Sequence, residues 1–328
     1  MINFATIGSN FIVENLLENF NQIDGYFYYG AYSRSIEKAR FLKKKYKALK
    51  AFDNLDEMLG DKNIDLIYIA SPNSLHFEQT RKALNSGKNV ICEKPFFTNT
   101  KEFDLVKEIA DRKSLILFEA ISIRYLPAIK KLKAYLEKIG PISTVLINYS
   151  QYSSRFDSYK KGKVENIFKS EFSAGSLSDL GIYNIHLAHY LFGMPEDFSY
   201  FGNINPYGID LAGSAILKYK DFILTFTCAK DTFSENFILI QGQNGHIKVR
   251  GNIQQARSMQ VRIKDETKEI VLKDEKNLYY YELKYLLDNF YKREAFQKDL
   301  KNSRQVLEIF EKLKKSAGIR DVYNFIEP

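Results

Sequence analysis

The 328-residue sequence predicts an α/β amino-terminal domain built on a doubly wound parallel sheet, followed by an α+β domain with a large, mostly antiparallel sheet. Three observations carry this. From Ile2 to Phe118 short apolar runs alternate with segments whose apolar residues recur at helical spacing, the pattern of repeated βα units. One run, Asn89-Val90-Ile91-Cys92, is apolar on consecutive positions, as in a strand covered on both faces, and ends abruptly in Glu93-Lys94-Pro95. After Gly140-Pro141 the rhythm changes to alternating or apolar strands separated by polar turns, the pattern of an antiparallel sheet.

Ile2 to Ile7 is strand-like, Gly8 breaks it, and Phe11 to Phe20 has helical spacing, so the chain opens as a βαβ unit of the nucleotide-binding kind. The dinucleotide fingerprint puts Gly-x-Gly-x-x-Gly/Ala in this turn. Its second glycine lets a pyrophosphate approach the backbone, and its last lets helix pack on strand. Here Gly8 is present, while Asn10 and Val13 take the other two positions. Asparagine tolerates left-handed backbone, but it brings a side chain to the phosphate position. The turn Gly8-Ser9-Asn10-Phe11-Ile12 is therefore either a cofactor-binding turn or that of a βαβ unit without a nucleotide. A second strand, Tyr26 to Tyr32, ends in Ser33-Arg34-Ser35 before a helix from Ile36 to Tyr46. A carboxylate at this place would bind the ribose 2′-hydroxyl of NAD. An arginine between two hydroxyls instead offers a planar fork of donors to the 2′-phosphate of NADP. In the competing assignment Ser35 caps the helix and Arg34 is a surface residue.

A short helix near Leu55 to Leu59 precedes the buried strand Asp65 to Ala70. That strand runs into Ser71-Pro72-Asn73-Ser74-Leu75-His76 and a helix from Leu75 to Asn85, with Asn73 or Ser74 as its cap. A polar, proline-containing turn at this strand end suits the nicotinamide side of a cofactor. His76 reads as a packed or solvent-facing residue rather than a catalytic base. Glu93 and Lys94 fall at the carboxyl end of their strand, and open parallel sheets bind ligands in the crevice beyond those ends. Pro95 stops the strand and restricts the backbone of Lys94, which fixes where the amine points. Taken alone, the heptapeptide also reads as a surface turn with two solvated charges; the neighbouring βα units favour the site. Asn99 and Glu102 have capping-box spacing ahead of a helix through Arg112, and a strand from Leu115 to Phe118 closes a first domain over residues 1–123.

The second domain, residues 124–328, begins with a helix from Pro127. Strands are expected at Ile142 to Tyr152, Ser214 to Tyr219, Phe222 to Ala229, Phe237 to Gln241, His246 to Arg250, Met259 to Ile263 and Glu269 to Leu272. Lys220-Asp221 and Gln243-Asn244-Gly245 look like hairpin turns. Helices near Tyr280 to Lys292 and Ser303 to Ala317 end the chain. An antiparallel sheet with few helices leaves one face for a partner, and a second copy of the chain, in a homodimer or homotetramer, is an economical cover. Between the first two strands, Leu180, Ile185, Ala188, Leu191 and Phe192 follow helical spacing, with Gly193 as the stop. Asp179 and Tyr183, four apart, share a face of this helix and offer a carboxylate and a phenol to one site; a core helix with polar edge residues is the alternative. His186 and His189 lack a third ligand at matching spacing, so no metal site is expected.

The net charge of +8 is spread over several lysine clusters on helix-periodic segments, without a recognition motif, which argues for solvated helix faces and against nucleic acid. No run has the roughly 18 to 20 apolar residues of a membrane span. The strand at Ile2 leaves no room for a signal peptide, and Cys92 and Cys228 read as buried free thiols, so a cytoplasmic protein is expected.

In order and spacing these pieces resemble the glucose-fructose oxidoreductase and inositol dehydrogenase family, Gfo/Idh/MocA, over nearly the whole chain. Gly8 stands in the Gly-rich turn, Ser33-Arg34-Ser35 after the second strand, Ser71-Pro72-Asn73 and His76 before a helix, and Glu93-Lys94-Pro95 is similar to the family's signature tripeptide. Glu119-Ala120, Arg124-Tyr125 and Pro127 look like the domain junction of the dihydrodiol and sugar dehydrogenase branch, and Gly175 to Tyr183 looks like that branch's Asp-x-Gly-x-Tyr helix. The resemblance implies a Rossmann domain that binds NADP or NAD and hydride transfer between nicotinamide and a carbinol carbon of a sugar or cyclic polyol. It places Lys94 and Tyr183 beside the reacting hydroxyl, with Asp179 orienting the substrate or the acid/base group. Gly8, Ser9, Asn10, Phe11, Ile12, Ser33, Arg34, Ser71, Pro72, Asn73, His76, Glu93 and Lys94 are the implied cofactor residues. A phenol with an ordinary pKa near 10 is a poor base at neutral pH, and the ammonium of Lys94 beside Tyr183 would favour phenolate and stabilise a developing alkoxide. Two departures bear on this: Asn10 replaces a glycine, and Ser122 stands where the dihydrodiol branch tends to have tryptophan, which favours a sugar over a flat aromatic diol. A regulator or nucleotide sensor without catalysis is the competing function.

Overall fold

The computed structural model describes residues 1–20, 22–272 and 276–320. The chain separates into two compact units, Met1–Ser122 with Lys276–Leu307, and Ile123–Glu275 with Glu308–Pro328.

The first unit contains β1 (Ile2–Ile7), α1 (Phe11–Phe20), β2 (Tyr26–Tyr32), α2 (Ile36–Tyr46), β3 (Lys50–Phe52), α3 (Leu55–Gly60), β4 (Leu66–Ile69), α4 (His76–Asn85), β5 (Asn89–Glu93), α5 (Thr100–Arg112) and β6 (Leu117–Ala120). All pairings in its sheet are parallel, and the order β3-β2-β1-β4-β5-β6 reverses direction between β1 and β4. This is the doubly wound Rossmann order, and that reversal is where ligands bind. β4 and β6 are buried at every position and β5 from Val90 on, as expected of strands covered on both faces. The three-residue β3 is too short to show a period in sequence. Asn99 caps α5 by accepting from the Glu102 amide at 3.0 Å, while the Glu102 carboxylate takes the Thr98 amide at 2.9 Å instead of closing the box on Asn99. α4 has no side-chain cap: a 3₁₀ turn, Asn73–Leu75, precedes it in place of the expected Asn73 or Ser74 cap.

The second unit contains α6 (Pro127–Leu136), β7 (Ile142–Ser150), α7 (Phe156–Lys160), a π-helical turn (Leu177–Gly181) continuing into α8 (Ile182–Phe192), β8 (Asp197–Ile204), β9 (Asp210–Lys218), β10 (Ile223–Ala229), β11 (Phe237–Gly242), β12 (Gly245–Arg250), β13 (Ser258–Ile263) and β14 (Glu266–Val271). Its eight strands run β14-β13-β12-β11-β7-β10-β9-β8, antiparallel except for β7 with β10. The expected hairpins at Lys220-Asp221 and Gln243-Asn244-Gly245 join β9 to β10 and β11 to β12. Edge strand β8 escapes the sequence pattern because only Tyr200 along it is deeply buried. One face of the sheet buries Val145, Ile147, Ala215, Leu217, Leu224 and Phe226, while Leu146, Ile216 and Ile223 on the other are 36%, 42% and 40% exposed. Both cysteines are free and buried. Among the described residues no helix is long and apolar enough to cross a membrane.

The chain's last helices, α9 (Leu278–Asn289) and α10 (Ala295–Ser316), divide it differently from the expected boundary at residue 123. Residues 276–307 belong to the first unit, and 321–328 lie outside the described residues. The Tyr26 hydroxyl donates to the Leu283 carbonyl at 2.8 Å, Phe118 packs on Tyr285 and Phe296, and Arg304 holds Asp104 through two nitrogens at 2.7 and 2.9 Å. A doubly wound sheet needs helices on both faces, and α9 supplies apolar cover from outside the βα series. Leu286→Ala, at a fully buried position, is expected to cost roughly 2–5 kcal/mol. Denaturant unfolding followed by tyrosine fluorescence checks this, and a loss below about 1 kcal/mol would contradict the packing.

Candidate functional site

In the first unit the carboxyl ends of β1, β4 and β5 are joined by side chains. Gly8 has φ 122°, and a Cβ there would sit 2.6 Å from the Ala70 carbonyl oxygen, so the turn after β1 requires glycine. The Asn10 side chain does not obstruct the turn. Its amide donates to the Ala70 carbonyl at 2.9 Å, and its Oδ1 accepts from the amides of Ile12 and Val13 at 3.1 and 3.2 Å, so Asn10 caps α1 and ties β1 to β4. Val13, in the place of the last small residue, is fully buried. Phe11 is exposed and Ile12 partly so. Ser9 and Ser33 meet through their hydroxyls at 3.3 Å, linking the first turn to the loop after β2. In that loop Ser35 caps α2 by accepting from Lys38, and Arg34 is exposed. The cap assigned to Ser35 and an accessible guanidinium at Arg34 thus coexist.

His76 has no exposed surface, and its ring nitrogens each lie 3.0 Å from a main-chain oxygen, Nε2 from Ser71 and Nδ1 from Pro95. Burial, with a smaller push from Lys94, moves its pKa below the ordinary histidine value against the pull of the carbonyls. In its neutral form the ring donates to one of the two carbonyls and packs against the other, which keeps the turn after β4 beside the turn after β5. Ser71 also donates to Gln79 at 2.7 Å; Pro72 and Asn73 are half-buried. Glu93 faces inward: the Tyr68 hydroxyl donates to its Oε1, and the Lys94 amide to its Oε2 at 3.2 Å. Burial raises the Glu93 pKa against the pull of the Tyr68 hydroxyl and the Lys94 ammonium. Lys94 itself is half-buried at the start of the turn, and its bond to Pro95 is cis.

In the second unit the π-helical turn carries Asp179 and leads into the α8 turn that carries Tyr183. The wider turn changes the simple α-helical spacing expected between them. The Asp179 carboxylate, 47% exposed, is paired with Lys230, whose side chain is only 6% exposed. Lys230 follows β10 and was missed in the sequence because it is a lone lysine after an apolar strand; the only signal was its place directly beyond the strand's carboxyl end. Tyr183 lies 5.8 Å from Tyr149 between ring centroids, beside a small cavity lined by Ile147, Tyr149, Leu187, Ile238 and Gln254. The turn is anchored by Asp210, whose Oδ2 accepts from Ser176 Oγ and the Leu177 amide at 2.7 Å and from Tyr200 at 2.6 Å. His186 and His189 receive Arg124, whose Nε donates to His186 Nδ1 at 3.2 Å and whose Nη2 lies 3.5 Å from His189 Nδ1. A guanidinium at both rings is incompatible with a cation in the same place.

The Asp179–Lys230 pair is expected to show a coupling of about 0.5–3 kcal/mol in a stability cycle of Asp179→Asn, Lys230→Met and the double variant. Strictly additive losses would show that the two groups do not depend on each other.

Residues 2–121 match the oxidoreductase family with an NAD-binding Rossmann fold, and residues 129–248 match the GFO/IDH/MocA C-terminal domain. The chain is 37% identical over 322 residues to scyllo-inositol 2-dehydrogenase (NADP(+)) of Bacillus subtilis, covering 97% of this chain and 98% of that one. It is 28% identical over 225 residues to trans-1,2-dihydrobenzene-1,2-diol dehydrogenase of Sus scrofa, covering 66% and 64%. Its fold is similar to that of KijD10, a 3-ketoreductase from Actinomadura kijaniata solved with NADP and TDP-benzene, with TM-score 0.87, 17% identity and 96% and 97% coverage. It is also similar to levoglucosan dehydrogenase solved with NADH and levoglucosan, with TM-score 0.83, 17% identity and 97% of each chain covered. Matches to both domains and a relative aligned along its full length show that the chain belongs to the GFO/IDH/MocA family of NAD(P)-dependent oxidoreductases acting on CH–OH groups.

Proposed function

We propose that this oxidoreductase transfers hydride between NADP and a ring carbon of an uncharged sugar or cyclic polyol, with Lys94 and Tyr183 moving the hydroxyl proton and Asp179 orienting the substrate. The observation that carries the reading is the His76 brace, which fixes the turn containing Lys94 to the Ser71-Pro72-Asn73 turn. An amine held to the turn expected at the nicotinamide is an amine held in register with hydride transfer, and a small misplacement there is costly in rate.

The residues present fit the cofactor. Gly8 leaves the first turn open to a pyrophosphate, Ser9 and Ser33 line its edge, and Arg34 is free to meet a 2′-phosphate. Phe11 and Ile12 flank that turn; Pro72 and Asn73 shape the nicotinamide side; His76 and Glu93 act from within by holding the two turns. NADP, when bound, supplies the two-electron partner of the carbinol carbon. In the oxidative direction Tyr183 takes the hydroxyl proton, and the ammonium of Lys94 favours its phenolate and stabilises the developing alkoxide. Asp179, paired with Lys230, receives O–H bonds from a neutral polyol. Burial of Lys230 makes this arrangement durable, since an ammonium in that place needs the carboxylate. A drifted phosphate turn at Asn10 would favour the sensor without catalysis, but its side chain is taken up by the helix cap.

We assign the protein to the cytoplasm and to a homo-oligomer formed through the open sheet face. Leu146, Thr225 and Ile216 stand side by side across β7, β10 and β9, with Phe201 70% exposed on neighbouring β8. Ile216→Asp is expected to shift the protein to a smaller species in sedimentation; an unchanged sedimentation coefficient rules this face out. Lys94→Met is expected to lower kcat on scyllo-inositol or a related polyol by about 10³ or more while NADPH still binds with wild-type affinity in a fluorescence titration. Ordinary turnover in that variant defeats the assignment of Lys94, and absence of saturable binding of NADPH and NADH to the parent protein favours the sensor.

A further inference from the structure

Behind Lys94 lies a group of buried carboxyls that the reaction does not use. Glu93 at the end of β5, Glu119 in β6 and Glu282 in α9 are 6%, 5% and 2% exposed. Glu282 comes from the far end of the sequence and reaches this place because α9 packs on the first sheet. The titratable groups that interact with it are Glu93 from β5, Glu119 from β6, Tyr68 from β4 and Tyr26 from β2, with Lys94 next to Glu93. These acids are not equivalent. Glu93 has a hydroxyl donor, an amide donor and an ammonium beside it. Glu282 has the amide of Ile121, and its Oε1 has no hydrogen-bond partner among the described residues. No group of three metal-ligating side chains among the described residues is arranged to hold an ion.

We propose that Glu282 is a positioning residue that carries a proton at neutral pH, leaving Glu93 as the carboxylate that faces Lys94. A second charge buried behind Glu93 would repel the first and weaken its hold on the turn. With Glu282 neutral, Glu93 accepts from Tyr68 and from the Lys94 amide and keeps the amine's backbone in place. The geometry agrees with the electrostatics: burial foremost, then the charge of Glu93, pushes Glu282 well above the ordinary carboxylate range. The inference rests on the role proposed for Lys94 only for its consequence in catalysis. Its test needs no turnover, so it stands or fails separately.

The sign follows from proton uptake. A carboxyl that is ionised in the unfolded chain and neutral in the fold takes up a proton on folding. Its contribution is full below the unfolded value, near 4.5, and is lost as pH rises toward the folded value. Glutamine has the same shape, also donates a hydrogen bond, and takes up no proton. The melting temperature of Glu282→Gln minus that of the wild type should therefore rise by about 2 °C or more between pH 5 and pH 8, every other titrating group being common to both. A difference that is constant or falls over this range overturns the proposal. Infrared spectroscopy of the wild type provides a readout that does not depend on folding of the variant: a protonated carboxylic acid band is expected at pH 7, and its absence overturns the proposal. Loss of that band in folded Glu282→Gln assigns it; retention of the whole band there overturns the assignment.

Discussion

The contact on which the arrangement of the first unit's strand ends depends is the buried imidazole of His76 between the carbonyls of Ser71 and Pro95. Two turns that leave different strands have no covalent reason to hold a fixed distance. A fully buried ring wedged between them, donating to one carbonyl and packed on the other, sets that distance for the turn expected at the nicotinamide and for the lysine expected at the reacting hydroxyl. Asn10 plays the corresponding part at the turn after β1, with its amide on Ala70 and its carbonyl on the α1 amides. The carboxyl edge of the sheet is thus fastened at both ends by side-chain to main-chain bonds, which costs less flexibility than longer loops would.

The second unit solves a different problem, holding a charge steady at a half-open position. Asp179 is almost half exposed, and a surface carboxylate paired with a surface lysine gains little. Here the lysine is buried, so the pair is anchored from the inside. Asp210 fixes the segment by accepting from Ser176, Leu177 and Tyr200, and the π-helical turn begins at that anchor. π-helical turns inside helices are frequent at functional sites.

Much of the candidate site was readable in the sequence. Glu93-Lys94-Pro95 stands out because an apolar strand that stops at two charges and a proline leaves few alternatives, and Gly8 because a turn after a strand needs a residue without Cβ. Asn10 was legible as a departure, but not as a helix cap that relieves its own crowding. Lys230 and Glu282 were not legible. Each is a single charged residue whose meaning lies in what it is buried against, and no spacing rule reports burial between distant segments. The same holds for residues 276–307: helical periodicity shows that α9 has an apolar face without showing which sheet will cover it.

The sequence by itself determined the alternation of strands and helices, the parallel first sheet, the hairpins of the second, and the family, because these depend on local periodicity, turn chemistry and motif order. Only the tertiary structure decided that residues 276–307 complete the first unit, that Asp179 is held by a buried lysine, and that the charged tripeptide is backed by other acids. These depend on desolvation and on contacts between residues far apart in sequence, and the energy of a charge is fixed by its surroundings in space rather than by its neighbours along the chain.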